Sequence, residues 1–527
     1  MLKIEGLTLQ PGDGEAVLSR KAARVLHLRD VQSLQILRRS VDARQTVSLV
    51  YSVAVTVPQE TQVLRSCRDS RVSVYRPEIY RLPAPVAVPP AIRPVVVGGG
   101  PAGLFCALVL AQCGLRPILL ERGQGVEQRQ RDVTSFWHTG VLNPASNVQF
   151  GEGGAGAFSD GKLNTGTRDV RHRWIMETLV SCGAPDSILT DAKPHVGTDR
   201  FHAALIALRQ RLLGLGADIR FGHQAVGIEI AGGALRGLRI VSPEGAYTLP
   251  AQNAVLALGH SARDTFQTLY ESGLAMEPKA FAVGVRIEHR QSDMDARQYR
   301  QYAGHPCLPP TSYKLSCHLE NGRSAFSFCV CPGGQVVAAA SETGQVVTNG
   351  MSEYARAGEN INGGLLVSVT PADFGGSHPL AGIAFQRQLE KAAYELGGGG
   401  YRAPAQRVED FLLGRPSAGP GRILPTYRPG VTFTDLRQCL PGFVWETMAD
   451  ALPLLERKVR GYADGDAVLT AVETRSSSPV RLLRDEHGQA SIRGIWPCGE
   501  GAGYAGGILS AAADGMRCAE NIWEVYQ

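Results

Sequence analysis

Gly98, Gly100, Pro101, Ala102 and Gly103 sit where an apolar strand, Val95-Val96-Val97, runs into an apolar helix over Leu104 to Cys113. Gly98 permits a sharp turn, Gly100 lets the backbone approach a pyrophosphate, and Gly103 lets the helix pack on the strand. The helix N-terminus then offers unpaired N–H groups and a positive dipole end to phosphate oxygens. A second strand, Pro117 to Glu121, ends in a carboxylate at the distance where it accepts from a ribose hydroxyl, with Arg122 beside it. The chemistry this spacing supports is dinucleotide binding.

The same glycine spacing recurs twice. Gly151 to Gly156 lacks a following apolar helix and reads as a loop, with Gly153, Gly154, Ser159, Gly161 and Lys162 available to lie against a flat ring. A surface Ω-loop is the alternative reading of these residues. Gly501 to Gly506 lies between Ile495-Trp496 and a helical run from Ile508 to Trp523, but no second strand follows to carry a ribose-binding acid. One complete dinucleotide half-domain is visible, so NAD(P)H would bind only transiently, on the substrate side, as an electron donor.

Either NAD or FAD suits the first turn, and three later segments favour FAD. Val226 lies on a strand that would pass the adenine. Gly259-His260 ends an apolar strand where a second close backbone approach is expected. Gly499-Glu500 follows the strand Gly494 to Pro497, and Gly506-Gly507-Ile508 opens the last helix, whose dipole would stabilise an anionic reduced flavin.

Other reactive residues keep two readings open. Arg286 and Glu288 share a strand face; with His289 they form either a carboxylate clamp and proton carrier or a structural ion pair with a solvent-facing His. Cys329 and Cys331 either pack or form a reducible pair that relays electrons. Arg475 with Ser476 to Ser478 binds an anion or caps a turn. No metal spacing occurs among His and Cys.

These elements need a scaffold. Residues 1–80 read as β-α-β-β-α-β, a ferredoxin-like α+β module; 81–92 is a Pro-rich linker; 93–269 and 466–527 form an FAD-binding Rossmann-like domain; and 270–465 form an inserted β-rich substrate domain. The fold class expected is therefore α/β, with an inserted domain and an N-terminal module. Residues 1–94 carry 14 Lys and Arg against 8 Asp and Glu, while the rest of the chain is nearly balanced, 40 against 41. Around Arg38, Arg39 and Arg44 this excess is a solvated basic face or a contact with nucleic acid. Eleven Cys without a framework pattern, and an N-terminus without a signal peptide, point to reduced thiols in the cytoplasm. No run of about 18 apolar residues spans a membrane.

The chain resembles the bacterial and plastid FAD-dependent dehydrogenases with an N-terminal ferredoxin-like module, within the glutathione reductase superfamily. The matching stretches are Arg39 to Arg44, Asn147 to Leu163, Val283 to His289, Ser327 to Gly334, Glu473 to Pro479 and Pro497 to Gly507. The resemblance implies a bound FAD and an oxidoreductase that passes a hydride between a small molecule, anionic in one reading, and flavin N5. It names no substrate. A flavin monooxygenase and a non-catalytic redox-sensing or nucleic-acid-associated flavoprotein are the alternatives.

Overall fold

The computed structural model describes residues 1–527. Strands Leu2–Leu9, Ser33–Asp42, Ser48–Thr56 and Val72–Val74 alternate with helices Glu15–Val25 and Glu60–Ser66. The first strand lies between the third and fourth, the second pairs with the third, and every pairing is antiparallel. Leu2, Ile4, Leu7 and Leu9 face the helices; the alternation skips a residue between Ile4 and Leu7, where the strand bulges. Arg39 docks this unit on the body: its N–H donates to Thr190 O at 2.7 Å, and its carbonyl accepts from Ala192 N at 2.8 Å. Two of the three singled-out arginines are paired, Arg39 with Asp191 and Arg44 with Asp42.

The Pro-rich stretch has no regular structure but is strapped down. Val86 N donates to Cys113 O, Trp523 Nε1 to Ala84 O, and Tyr80 OH to Glu520.

The nucleotide-binding core is a five-stranded parallel sheet, in spatial order Ile495–Pro497, Ala254–Leu256, Val95–Val97, Ile118–Glu121 and Asp218–Phe221. Four of its strands are short buried runs because both faces are covered, while the edge strand Asp218–Phe221 is half-buried. Helices Pro101–Gln112 and Ile508–Val525 cross at backbone contact, since a Cβ on Gly515 would lie 2.0 Å from Ala102 O. The chain from Asp218 to Ala231 forms two strands, Asp218–Phe221 and Gln224–Ala231. The chain turns at Gly222 (φ +73°), and Gln224–Ala231 joins Ala234–Ser242 and Gly245–Pro250 in a separate antiparallel sheet.

The β-rich region centres on an antiparallel core in which Phe281–Arg290 is flanked by Asn360–Val369 and Val468–Glu473. The last strand was expected in the FAD-binding part, 466–527. All six of its residues are buried against Phe281–Arg290, so the β-rich unit runs past 465. Residues Ser324–Ala338 form one long strand of this unit. No helix is long and apolar enough to cross a membrane.

Candidate cofactor and active site

A cavity of about 530 Å³ opens between the parallel sheet and the β-rich unit. Gly98 holds φ +108°, and a Cβ there would meet Ala257 O at 2.2 Å, so glycine is required by both conformation and space. Gly103 is equally constrained: its Cβ would lie 1.9 Å from Gly98 O. Gly100 differs, since a Cβ there would project toward the cavity and meet only Gly154 Cα, at 3.8 Å. Gly100 is the N-cap of Pro101–Gln112 and Gly507 that of Ile508–Val525; neither helix has a side-chain cap. Two helix N-termini with unpaired N–H groups therefore open on one cavity, an arrangement suited to a pyrophosphate at one and an electron-rich ring edge at the other. Gly506 and Gly507 have nothing within 4 Å of a built Cβ, which leaves room for a flat ring. The residues present fit FAD.

Most residues singled out for FAD line this wall: Gly98, Gly100, Pro101, Ala102, Glu121, Arg122, Gly154, Ser159, Lys162, Gly259, His260, Glu500, Gly506, Gly507 and Ile508. Gly153, Gly161 and Gly499 stand just behind. Gly153 N donates to Gly99 O at 2.8 Å, Gly161 N to Ser159 Oγ at 3.0 Å and Gly499 N to Asp514 at 2.8 Å. The 151–162 segment is a wall of the cavity and not a surface loop. Val226 is a correction: His223, Gln224 and Ala225 line the cavity and Val226 does not, because only the start of this strand reaches the cavity and the strand bulges between Ala225 and Gly227.

Glu121 does more than sequence suggests. Its two oxygens accept from Gly99 N at 2.6 Å, Gly123 N at 2.8 Å and Gly151 N at 2.9 Å, binding three turns to one carboxylate. Of about four lone-pair positions, one stays open. Arg122 pairs with Asp264 and stacks over Phe150 at 4.4 Å. Sequence reasoning missed Arg129, a fully buried guanidinium that donates to the carbonyls of Asn147, Val148, Gly151 and Glu152 and so shapes the glycine loop. Its only sequence signal is an arginine just ahead of a glycine-dense run.

The expected catalytic set divides. Lys162 is on the cavity, paired with wholly buried Asp160 at 2.8 Å; Asp160 also pairs with Arg356 and accepts from the Ser352 hydroxyl. Burial works against the charge on Lys162, but the thiols of Cys331 and Cys329 and the Asp160 carboxylate outweigh it and raise its pKa. Arg286, Glu288 and His289 are buried and off the cavity wall. Arg286 pairs with Glu473 at 3.2 Å, Glu288 accepts from Asn360 and Thr426, and His289 Nε2 meets Tyr462 O at 2.8 Å. No carboxylate clamp forms, because the strand bearing these residues is covered on both faces. Arg475 reaches the wall, but its donors are taken by Glu390, Ser261 and Ser341. Ser476 bonds Ala282 and Ser478 bonds Val480, so this stretch is structural. Three distant residues, Cys498, Asp514 and Cys518, cluster within 4.8 Å, but Asp514 is held by Arg484 and Gly499.

Residues 93–160 match the family described as FAD binding domain, and residues 280–476 the family described as FAD-dependent protein, C-terminal domain-like. Residues 1–57 match a domain of unknown function. A Clostridium beijerinckii protein, described as uncharacterized, is 42% identical over 533 residues, covering 100% of this chain and 99% of its own length. Among solved structures the chain is similar to a flavin-dependent brominase (14% identity, 82% of this chain and 80% of that one, TM-score 0.38). It is also similar to E. coli quinol fumarate reductase (12%, 82% and 70%, TM-score 0.38). A third similar structure is an aklavinone-11 hydroxylase in complex with FAD and aklavinone (14%, 83% and 62%, TM-score 0.33). The chain is an FAD-binding flavoprotein, and it belongs to the family represented by its Clostridium beijerinckii relative.

Proposed function

We propose that the protein is an FAD-dependent dehydrogenase or reductase acting on a small anionic molecule. When bound, FAD supplies a two-electron acceptor or donor; the chain supplies position and charge. The carrying observation is the cationic mouth of the cavity, formed by Lys162, Lys193, Lys314 and Arg356. Lys193 bonds the Ser312 hydroxyl at 3.1 Å instead of a carboxylate. Its pKa is lowered, by desolvation of the ammonium at the cavity first and then by Arg356, Lys162 and Lys314. An incoming carboxylate or phosphate relieves that repulsion and is steered inward. His260 Nε2, buried on the same wall without a partner, is available to a polar group in the cavity.

In this reading the pyrophosphate of FAD lies on the N-terminus of Pro101–Gln112, and the open position on Glu121 accepts from a ribose hydroxyl. Residues 1–80 serve as a ferredoxin-like docking module, and the β-rich unit carries the substrate side. The order of elements and strands in the first 80 residues supports the ferredoxin-like assignment. NADH or NADPH is the proposed electron donor.

The test is a titration of the FAD-loaded protein with small mono- and dicarboxylates, read as a difference spectrum of the flavin. Saturable perturbation is expected, weakened about 10–100-fold in the Lys193→Gln, Lys314→Gln double variant. Equal perturbation by the uncharged amides would reject an anionic substrate. Anaerobic mixing with NADH and NADPH then identifies the donor, and fast oxygen consumption coupled to substrate would point instead to a monooxygenase.

A further inference from the structure

Cys329 lines the FAD cavity, and Cys331, fully buried, stands directly behind it. On a regular strand, residues two apart point the same way but stay separated. Here the strand bulges: Phe328 pairs with Gly364 and Cys331 with Asn362, three residues against two on the partner. Cys329 takes the extra place with φ +39°, a left-handed conformation unfavourable for any residue but glycine. At this bulge the Cys331 thiol donates to Cys329 O at 3.3 Å, so the two cysteines are held against each other.

Two cations face the pair. Lys162 Nζ lies 3.7 Å and an Arg286 Nη 3.9 Å from Cys331 Sγ, and the same Arg286 nitrogen donates to Cys329 O at 3.0 Å. Among the other cysteines, Cys498 also lines the cavity and lies within 4.8 Å of Cys518, but Cys518, burial and Asp514 push its thiol up, as burial does those of Cys106 and Cys439. In the pair, the hydrogen bond from Cys331 first, and then Lys162 and Arg286 against the opposing burial, lowers the Cys329 thiol to about 6. Loss of one proton makes the second harder to remove. The corrected role of Arg286 follows: it supplies charge to the thiols from behind the wall.

We propose that Cys329 and Cys331 form a dithiol–disulfide couple that exchanges electrons with the bound FAD, so that the protein stores electrons in its own chain as well as in its cofactor. In the oxidative direction two S–H bonds are given up and one S–S bond forms. Two electrons and one proton go to oxidised FAD, and the other proton leaves through the cavity mouth. In the reductive direction the reduced cofactor opens the disulfide. Cys329, on the cavity, is the exchanging thiol, and Cys331 is its resolving partner. The proposal rests on FAD occupying this cavity.

The test is anaerobic reductive titration of air-oxidised, FAD-loaded protein, with FAD content fixed from absorbance in the same sample. Wild type is expected to take up four electrons per FAD, and the Cys329→Ser and Cys331→Ala variants two. Alkylation after denaturation, which needs no variant, is expected to label Cys329 and Cys331 only after reduction. A long-wavelength thiolate-to-flavin band is expected in Cys331→Ala and absent from Cys329→Ser. Full FAD content with two-electron uptake by wild type and both cysteines alkylated beforehand would overturn the couple and leave the flavoprotein reading intact; protein that takes up no FAD would overturn both.

Discussion

The ammonium of Lys162 lies 2.8 Å from Asp160 Oδ2, the carboxylate wholly buried and the lysine a quarter exposed at the cavity wall. Asp160 spends its charge on Lys162 and Arg356 together, which fixes one cation toward the thiols and the other toward the mouth. A buried acid beneath two cations at a flavin cavity is a positioning device, and its removal reports on the site as a whole.

Acid stability follows from that carboxylate. Burial raises the Asp160 pKa, but Lys162 and Arg356 prevail and hold it at about 2, below its ordinary 3.8. A carboxylate with a depressed folded pKa stabilises the protein above pH 3.8 and loses that contribution as the pH falls toward 2, about 2 kcal/mol here. Urea denaturation between pH 2 and 6 is expected to show that loss. Asp160→Asn is expected to flatten it and to cost about 3–5 kcal/mol at pH 7, because two cations lose their partner. An unchanged pH profile in the variant would contradict the role given to Asp160.

Glu121 joins three glycine turns. Glu121→Gln replaces an acceptor oxygen with a donor NH2 against backbone N–H groups, so at least one of Gly99, Gly123 and Gly151 loses its acceptor. FAD affinity is expected to fall about 10–100-fold, with about 1–3 kcal/mol lost in stability. Flavin fluorescence quenching gives the affinity; wild-type binding in the variant would sink this account of the turns.

The joint between the nucleotide core and the β-rich unit is an ionic one. Glu390, buried completely, accepts from Arg263 and Arg475. Both arginines hold it far below the usual carboxylate range, overriding burial. Glu390→Gln leaves two buried guanidinium groups short of charge and is expected to cost about 3–5 kcal/mol. Calorimetry is the check, and a melting temperature within a degree of wild type would show the cluster to be dispensable.

Arg39→Ala is expected to be mild, under about 1 kcal/mol, because its partly exposed ion pair with Asp191 contributes little and its backbone carries the docking. Limited proteolysis within residues 77–94 reads module release. Rapid cleavage in this variant would mean the side chain, and not the main chain, holds the module.

Much of the scaffold was legible because its signals are local. Val95 to Val97, Gly98 to Gly103 and Ile118 to Glu121 form a compact strand–turn–helix–strand unit, and alternation along Leu2–Leu9 marks the first strand. The site beyond the glycine turns was less legible because it is assembled across the chain. Asp160 meets Arg356, Glu390 meets Arg475, and Arg286 meets Glu473 over separations that no local pattern encodes. The Arg286-Glu288-His289 clamp failed for a specific reason: polar residues on a strand read as a solvent or ligand face, whereas these are satisfied inside a covered sheet. Val226 failed because the cavity takes in only the first residues of its strand, ending at Ala225 where the strand bulges.

FAD content of Gly100→Val tests the central claim most directly. Gly100 has φ −77°, open to any residue, lines the cavity, and a Cβ built on it meets only Gly154 Cα, at 3.8 Å. The account predicts a variant that folds and melts like the wild-type apoprotein but binds FAD at least about 10-fold more weakly, beside a wild type that holds one FAD per chain. Gly100→Val binding FAD as tightly as the wild type would contradict the placement of the pyrophosphate at this helix end.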